Sequence, residues 1–181
     1  MRYAVELFFD KEMEGELYRI IHKIADAGLS TKFLEWKTRP HIALGCFHDV
    51  NEEKCKRVLD DFARKHRNMR AYLDSVGMFV DTKVVFANPH MSQSMYDMHR
   101  ELHGMLSWCD TAGEEWYLPD CWAPHCTLAM TAGDGEEVFF KVSDLVLHEF
   151  HKLAGYYAEI GLVRIGASTV EEVCTISLLD K

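Results

Sequence analysis

Long apolar runs are missing from this 181-residue sequence, and none approaches the length of a membrane span. The opening segment MRYAVELFFD is too short and too acidic to read as a signal peptide, so cytoplasmic residence is the expectation. No Cys-x-x-Cys pair occurs among Cys46, Cys55, Cys109, Cys121, Cys126 and Cys174. In a reducing compartment these are expected to be thiols acting as small apolar filler, not a disulfide framework. No His-Glu-x-x-His segment is present either. His99 and His103 stand four apart in MHRELHGM, but no third ligand accompanies them. They are expected to flank the core stripe of a helix, and no metal or cofactor is expected. Basic residues are in deficit, 20 against 29 acidic, for a formal net charge of −9. That balance argues against a broad nucleic-acid surface while leaving room for a local nucleotide or RNA-end site. A Pro/Gly/Ser-rich linker is also absent, so residues 1–181 should pack as one body.

What is present reads as a globular α+β chain, 48% hydrophobic and 27% charged. RYAVELFF reads as a strand. The following segment, 10–28, reads as a helix with Met13, Leu17, Ile20, Ile21 and Ile24 at helical spacing and Gly28 to close it. HIALGCF is a short strand. After it, 51–66 reads as a helix, with Asn51 as N-cap and Cys55, Val58, Leu59 and Phe62 on one face. RAYLDSVGMFV and KVVFAN read as strands joined by a polar turn. A further helix spans 92–109, with Met95, Met98, Leu102, Met105 and Cys109 on its inner stripe. The segment 110–120 reads as a loop, followed by strand HCTLAM, helix 135–150, and strands 153–165 and 170–179.

This order contains a repeat. A shift of 84 residues without a gap aligns Pro40 with Pro124, His41 with His125 and Leu44 with Leu128. It also aligns Glu52 with Glu136, Glu53 with Glu137, Val58 with Val142, Asp60 with Asp144, Tyr72 with Tyr156 and Gly77 with Gly161. One register thus holds across a strand, a helix and a second strand. The expectation is an internally duplicated, two-lobed fold, with repeat segments of about 40–79 and 124–163. Antiparallel sheets with helices packed outside would leave a cleft between the lobes. Two equivalent strands at the junction would bring His41 and His125 across that cleft, and alternation puts Ala43 and Thr127 on the same faces.

These motifs, PHIAL and PHCTL, resemble those of the 2H phosphoesterase superfamily, which includes 2′-5′ RNA ligases and cyclic nucleotide phosphodiesterases. Its signature is a pair of His-x-Thr/Ser motifs, each followed by an apolar residue, one per lobe of a duplicated α+β fold. PHCTL matches fully, with His125 and Thr127 in the family's places. PHIAL matches at His41, whereas Ala43 lacks the hydroxyl. The resemblance implies metal-free cleavage of a phosphodiester, a 2′,3′-cyclic phosphate or a 2′-5′ linkage of a nucleotide or RNA end. His41 and His125 would be acid and base, and Thr127 would bind the phosphoryl group. Arg39, and the aromatics Trp116, Tyr117 and Trp122 before the second motif, are candidate cleft-lining residues; the aromatics read equally as stacking surfaces for a base or as the side chains that pin their own loop. His48 is a further candidate there, whereas His148 and His151 read as solvated. A second reading stays open at this stage: a module that binds a phosphorylated nucleotide or RNA end without turning it over.

Overall fold

The structure, a computed structural model, describes residues 1–107 and 113–180. Cys109, expected on a helix stripe, lies outside the described residues. Seven strands alternate with helices: β1 (Arg2–Phe9), α1 (Lys11–Asp26), α2 (Lys32–Glu35), β2 (His41–His48), α3 (Glu52–Ala63), β3 (Met69–Phe79) and β4 (Val84–Pro89). They continue as α4 (Gln93–Leu106), β5 (Cys126–Met130), α5 (Glu136–Glu149), β6 (Leu153–Ile165) and β7 (Val170–Ser177). The short α2 and a 3₁₀ turn at Glu115–Tyr117 fall in segments that carry no helical periodicity in sequence.

Local chemistry fixes the helix ends. Asp10 caps α1 by accepting from the Met13 amide at 2.9 Å, and its other oxygen accepts from the Tyr156 amide at 2.6 Å, tying helix to sheet. Asn51 caps α3 through the Lys54 amide. Gly28, at φ +67°, takes the left-handed conformation that ends α1. The buried stripe of α1 is the expected one. In α3, Val58 is only half-buried and Ala63 is buried as well. In α4 the stripe turns slightly, burying His99 and Leu106 and leaving Met105 half-buried.

All named strand pairs are antiparallel, and the strands form one sheet in the order β2-β1-β6-β3-β4-β5, with β7 also on β6. The long β6 joins the parts. Its first residues pair with β3, and its later ones pair with β1 on one edge and β7 on the other. The β3–β6 pairing is centred on Ala71 opposite Gly155, so Met69 meets Tyr157 and Leu73 meets Leu153. Glu52 opens α3 and Glu136 opens α5, 84 positions apart, and the same interval separates Met69 of β3 from Leu153 of β6.

The helices cover one face of this sheet. Along β1, Tyr3, Val5, Leu7 and Phe9 enter the main core with the stripes of α1, α3, α4 and α5. The alternate residues Ala4 and Phe8 lie on the other face with Cys46 and Val163. Buried on both faces, β1 needs apolar residues almost throughout, and its one buried acid, Glu6, is conspicuous. The strands at the two ends of the sheet, β2 and β5, come into contact with each other. That contact makes the face opposite α1, α3, α4 and α5 concave between them.

Candidate active site

Two backbone irregularities shape the walls of this concavity. On β2, Ala43 pairs with Glu6 and Gly45 with Val5, so Leu44 is an extra, unpaired residue. On β5, Thr127 pairs with Phe86 and Ala129 with Val85, so Leu128 is extra in the same way. These are β-bulges, which shift the side-chain alternation by one position. Before each bulge, His41 and Ala43, and His125 and Thr127, face the cleft. Beyond it, Cys46 and Met130 take over the same face. The two Leu side chains, 0% and 1% exposed, anchor the bulges in the core. The Pro-His-x-x-Leu motif is therefore a geometric unit.

A bulge leaves a carbonyl to be satisfied. The Leu44 carbonyl accepts from Nε2 of His99 at 2.8 Å and from Nε2 of His103 at 2.9 Å. Burial holds both rings below the usual imidazole range, His99 to about 4, so they stay neutral single donors. Trp122 stacks flat on His99 at 3.8 Å and donates Nε1–H to the Ala43 carbonyl at 3.0 Å. The His pair and Trp122 are braces for the β2 wall. Among the described residues no group of three or more His, Cys, Asp or Glu is placed to hold a metal ion.

The two motif histidines are set alike. His41 Nδ1 donates to the Arg39 carbonyl at 2.6 Å, and His125 Nδ1 donates to the Ala123 carbonyl at 2.7 Å. A carbonyl can only accept, so Nδ1 carries the hydrogen and each neutral ring keeps its lone pair on Nε2. Both residues, with Thr127 and Ala43, line one cavity of about 160 Å³. At about 30 Å³ per water, that holds about five waters or a phosphoryl group. Burial lowers both imidazole pKa values, His41 to about 4, against the pull of the backbone carbonyls that favours the charged ring. His41 also pushes His125 down. The rings of Phe79 and Phe86 pack around His125, and Phe8 meets His41 edge-on.

Among the other candidates, only Tyr117 lines the cavity, its hydroxyl donating to the Cys46 thiol. Arg39 does not, because β2 begins only at His41 and strand parity does not reach it. Its guanidinium sits over the Phe8 ring at 4.2 Å and pairs with Glu14 and Glu159. Arg39 contributes its carbonyl instead. Trp116 is 76% exposed on the 3₁₀ turn, away from the cavity, and Trp122 is a brace as described. His48 lies at the exposed end of β2, its Nε2 3.4 Å from Glu114.

Besides Tyr117 and Cys46, four lining residues outside the motifs carry polar groups. Trp36 and Thr38 come from the connection after α2. Arg2, paired with Glu114 at 2.7 and 2.8 Å, brings a cation. The fourth is Glu6, 3% exposed, with Oε1 3.4 Å from His41 Nε2 and Oε2 without a hydrogen-bond partner. Burial raises its pKa to about 8, with Arg39 opposing and Glu172 adding to the rise. One signal marked it in the sequence: a single carboxylate inside an apolar strand.

A sheet whose end strands carry paired His motifs into one cleft defines a class. The chain matches the family model described as the 2′-5′ RNA ligase superfamily over residues 15–152. The chain belongs to this superfamily, that of the 2H phosphoesterases. Its fold is shared with the Thermus thermophilus protein TT0787 at 19% identity and TM-score 0.60, covering 100% of both chains. It is shared too with Escherichia coli LigT complexed with 3′-AMP, at 17% identity and TM-score 0.58, over 98% of this chain and 97% of that one. The LigT complex with NADP+ gives 15% identity and TM-score 0.57, over 98% and 97%. No curated protein matches the chain. No helix among the described residues is long and apolar enough to cross a membrane.

Proposed function

We propose that this chain is a metal-independent phosphodiesterase that acts on a 2′,3′-cyclic phosphate or a 2′-5′ linkage of a nucleotide or RNA end. One observation carries the reading: two imidazoles, each pinned through Nδ1 to the carbonyl two residues upstream, share a cleft with Thr127. The pinning presents Nε2 of each ring for proton exchange. In the hydrolysis, a water oxygen forms a bond to phosphorus as its proton passes to one Nε2. The bond from phosphorus to the leaving ribose oxygen breaks, and that oxygen takes a proton from the other Nε2. Thr127 donates a hydrogen bond to a phosphoryl oxygen as charge builds there. Both rings are neutral when the site is empty. A bound phosphodiester anion favours protonating one of them, which supplies the acid.

The same reading takes the chain as one domain of two pseudo-symmetric lobes, with repeat segments of about 40–79 and 124–163. The β3–β6 register centred on Ala71 and Gly155, the matching bulges at Leu44 and Leu128, and the helix starts 84 positions apart all support it. The test is turnover of 2′,3′-cyclic AMP in EDTA by the wild type, His41→Ala and His125→Ala. The wild type should cleave it, and each variant should lose at least about 100-fold, the lower range for a positioned acid or base. Activity that dies in EDTA and returns with zinc or manganese refutes the metal-free mechanism. A wild type that binds adenosine 2′-monophosphate but cleaves no phosphodiester supports the binding-module reading, which the absent hydroxyl at Ala43 favours.

A further inference from the structure

We infer that Glu6 is the phosphoryl-binding group of the first lobe, donating from its protonated carboxyl the hydrogen bond that a hydroxyl at Ala43 would otherwise supply. This rests on the proposed site and deepens it. Glu6 is the cross-strand partner of Ala43 in register, and residues so paired stand about 5 Å apart at Cβ on one face. The equivalent pair in the other lobe, flanking the matching bulge, is Thr127 opposite Phe86. Each pair thus holds one polar and one apolar residue, with the polar one on opposite strands. The methyl group at 43 leaves the space beside it to the longer Glu6 side chain. The carboxyl lines the cleft, is only 3% exposed, and keeps one oxygen without a partner among the described residues. A substrate oxygen would be that partner.

Donation requires the neutral acid, since a carboxylate would repel a phosphate. Burial provides it by raising the carboxyl to about 8. The groups facing Glu6 act as follows. Arg39, before β2, opposes the shift, and Glu172 of β7 reinforces it. His41 of β2 meets it at 3.4 Å, while Cys46 of β2 holds its proton, its pKa raised to about 11. Arg2, on the same strand, is paired with Glu114, and His125 lies on the opposite wall of the cavity.

The experiment compares wild type, Glu6→Ala, Glu6→Gln, the double variant Glu6→Ala/Ala43→Thr, and His125→Ala. Binding of adenosine 2′-monophosphate and turnover of 2′,3′-cyclic AMP are measured at pH 7 and pH 9, with circular dichroism to confirm folding. Glu6→Ala should weaken both readouts about 10- to 100-fold, the value of one hydrogen bond to a charged group. Glu6→Gln keeps a donor and should restore most of that loss at pH 7. Wild-type affinity should fall about tenfold from pH 7 to pH 9 as the neutral fraction falls, and the Gln variant should not follow. The double variant should recover part of the loss. Glu6→Ala within twofold of wild type overturns the inference. So does Glu6→Gln as weak as Glu6→Ala, which would place Glu6 in proton exchange with His41 instead. If His125→Ala binds and cleaves like wild type, the proposed site itself fails. If His125→Ala is dead while the Glu6 variants match wild type, only the role of Glu6 fails. Should the wild type cleave nothing, the binding measurements decide the inference alone.

Discussion

Glu6 and His41 together set a pH window for stability. Burial holds Glu6 up at about 8 and His41 down at about 4, from ordinary values of 4.5 and 6.5. Between 4.5 and 6.5 the folded pair carries one proton, on Glu6, and the unfolded pair carries one, on His41. Unfolding then moves no net proton, and the pair leaves stability flat. Above 6.5 the unfolded His41 gives up its proton while the folded Glu6 keeps its own. Stability falls as pH rises, until Glu6 ionises in the folded chain near 8. The two states differ by one proton over about 1.5 pH units at about 1.4 kcal/mol each, so about 2 kcal/mol is lost. Urea denaturation of wild type and Glu6→Gln at pH 6.5, 7.5 and 8.5 reads this out. Glutamine does not titrate, so the variant should stay level across the window apart from slopes both proteins share, such as that of surface His148. The wild type should drop by about 2 kcal/mol relative to it. Parallel profiles, or a wild type that gains on the variant as pH rises, refute the reasoning.

Two further outcomes follow from the cleft walls. On the proposed mechanism Thr127→Ala removes one charge-assisted hydrogen bond and no proton carrier, so kcat/KM on 2′,3′-cyclic AMP should fall about 10- to 100-fold, less than for either His variant. Trp122→Phe keeps an aromatic ring beside His99 but strips the donor from the Ala43 carbonyl. It should cost about 1–3 kcal/mol in urea denaturation, and a stability within about 0.5 kcal/mol of wild type would show that carbonyl to be satisfied elsewhere.

Much of the architecture is legible in period and punctuation. β1 and β6 coincide with the spans 2–9 and 153–165 read from the sequence, and Asn51 and Gly28 act as the caps expected of them. The placing of His41, His125 and Thr127 on one cleft follows from the repeat plus alternation, because two-residue spacing survives until the bulge. The bulges themselves are not legible. An extra residue leaves no compositional mark, so the return of Cys46 and Met130 to the cleft face could not be read from the pattern. The loop aromatics fail for a related reason. Which of Trp116, Tyr117 and Trp122 reaches the cleft depends on the 3₁₀ turn and the stack on His99, which are tertiary facts. Trp36 leaves no signal in the pattern because the single turn of α2 is too short to show a period.

Glu6 stands in plain view in the sequence without declaring a role, and the reason bears on function. In a strand buried on both faces there is no polar face to assign, so a lone carboxylate looks like a flaw in an apolar run. Its neighbours on the cleft face, Ala4 and Phe8, pack with Cys46 and Val163, and an aliphatic residue at position 6 would extend that cluster. A carboxyl there surrenders the apolar contact and must shed its charge to be buried, at a cost that grows as pH rises from about 4.5 to about 8. A sequence under no constraint but folding has no use for such a residue. On the inference drawn above, its register opposite Ala43 supplies the use: the first of the two proposed lobes keeps a polar group by carrying it on β1, where the second carries Thr127 on β5. On that inference the departure of PHIAL from the paired motif is a transfer between adjacent strands, and the proposed phosphoryl group would be held from both walls of the cleft.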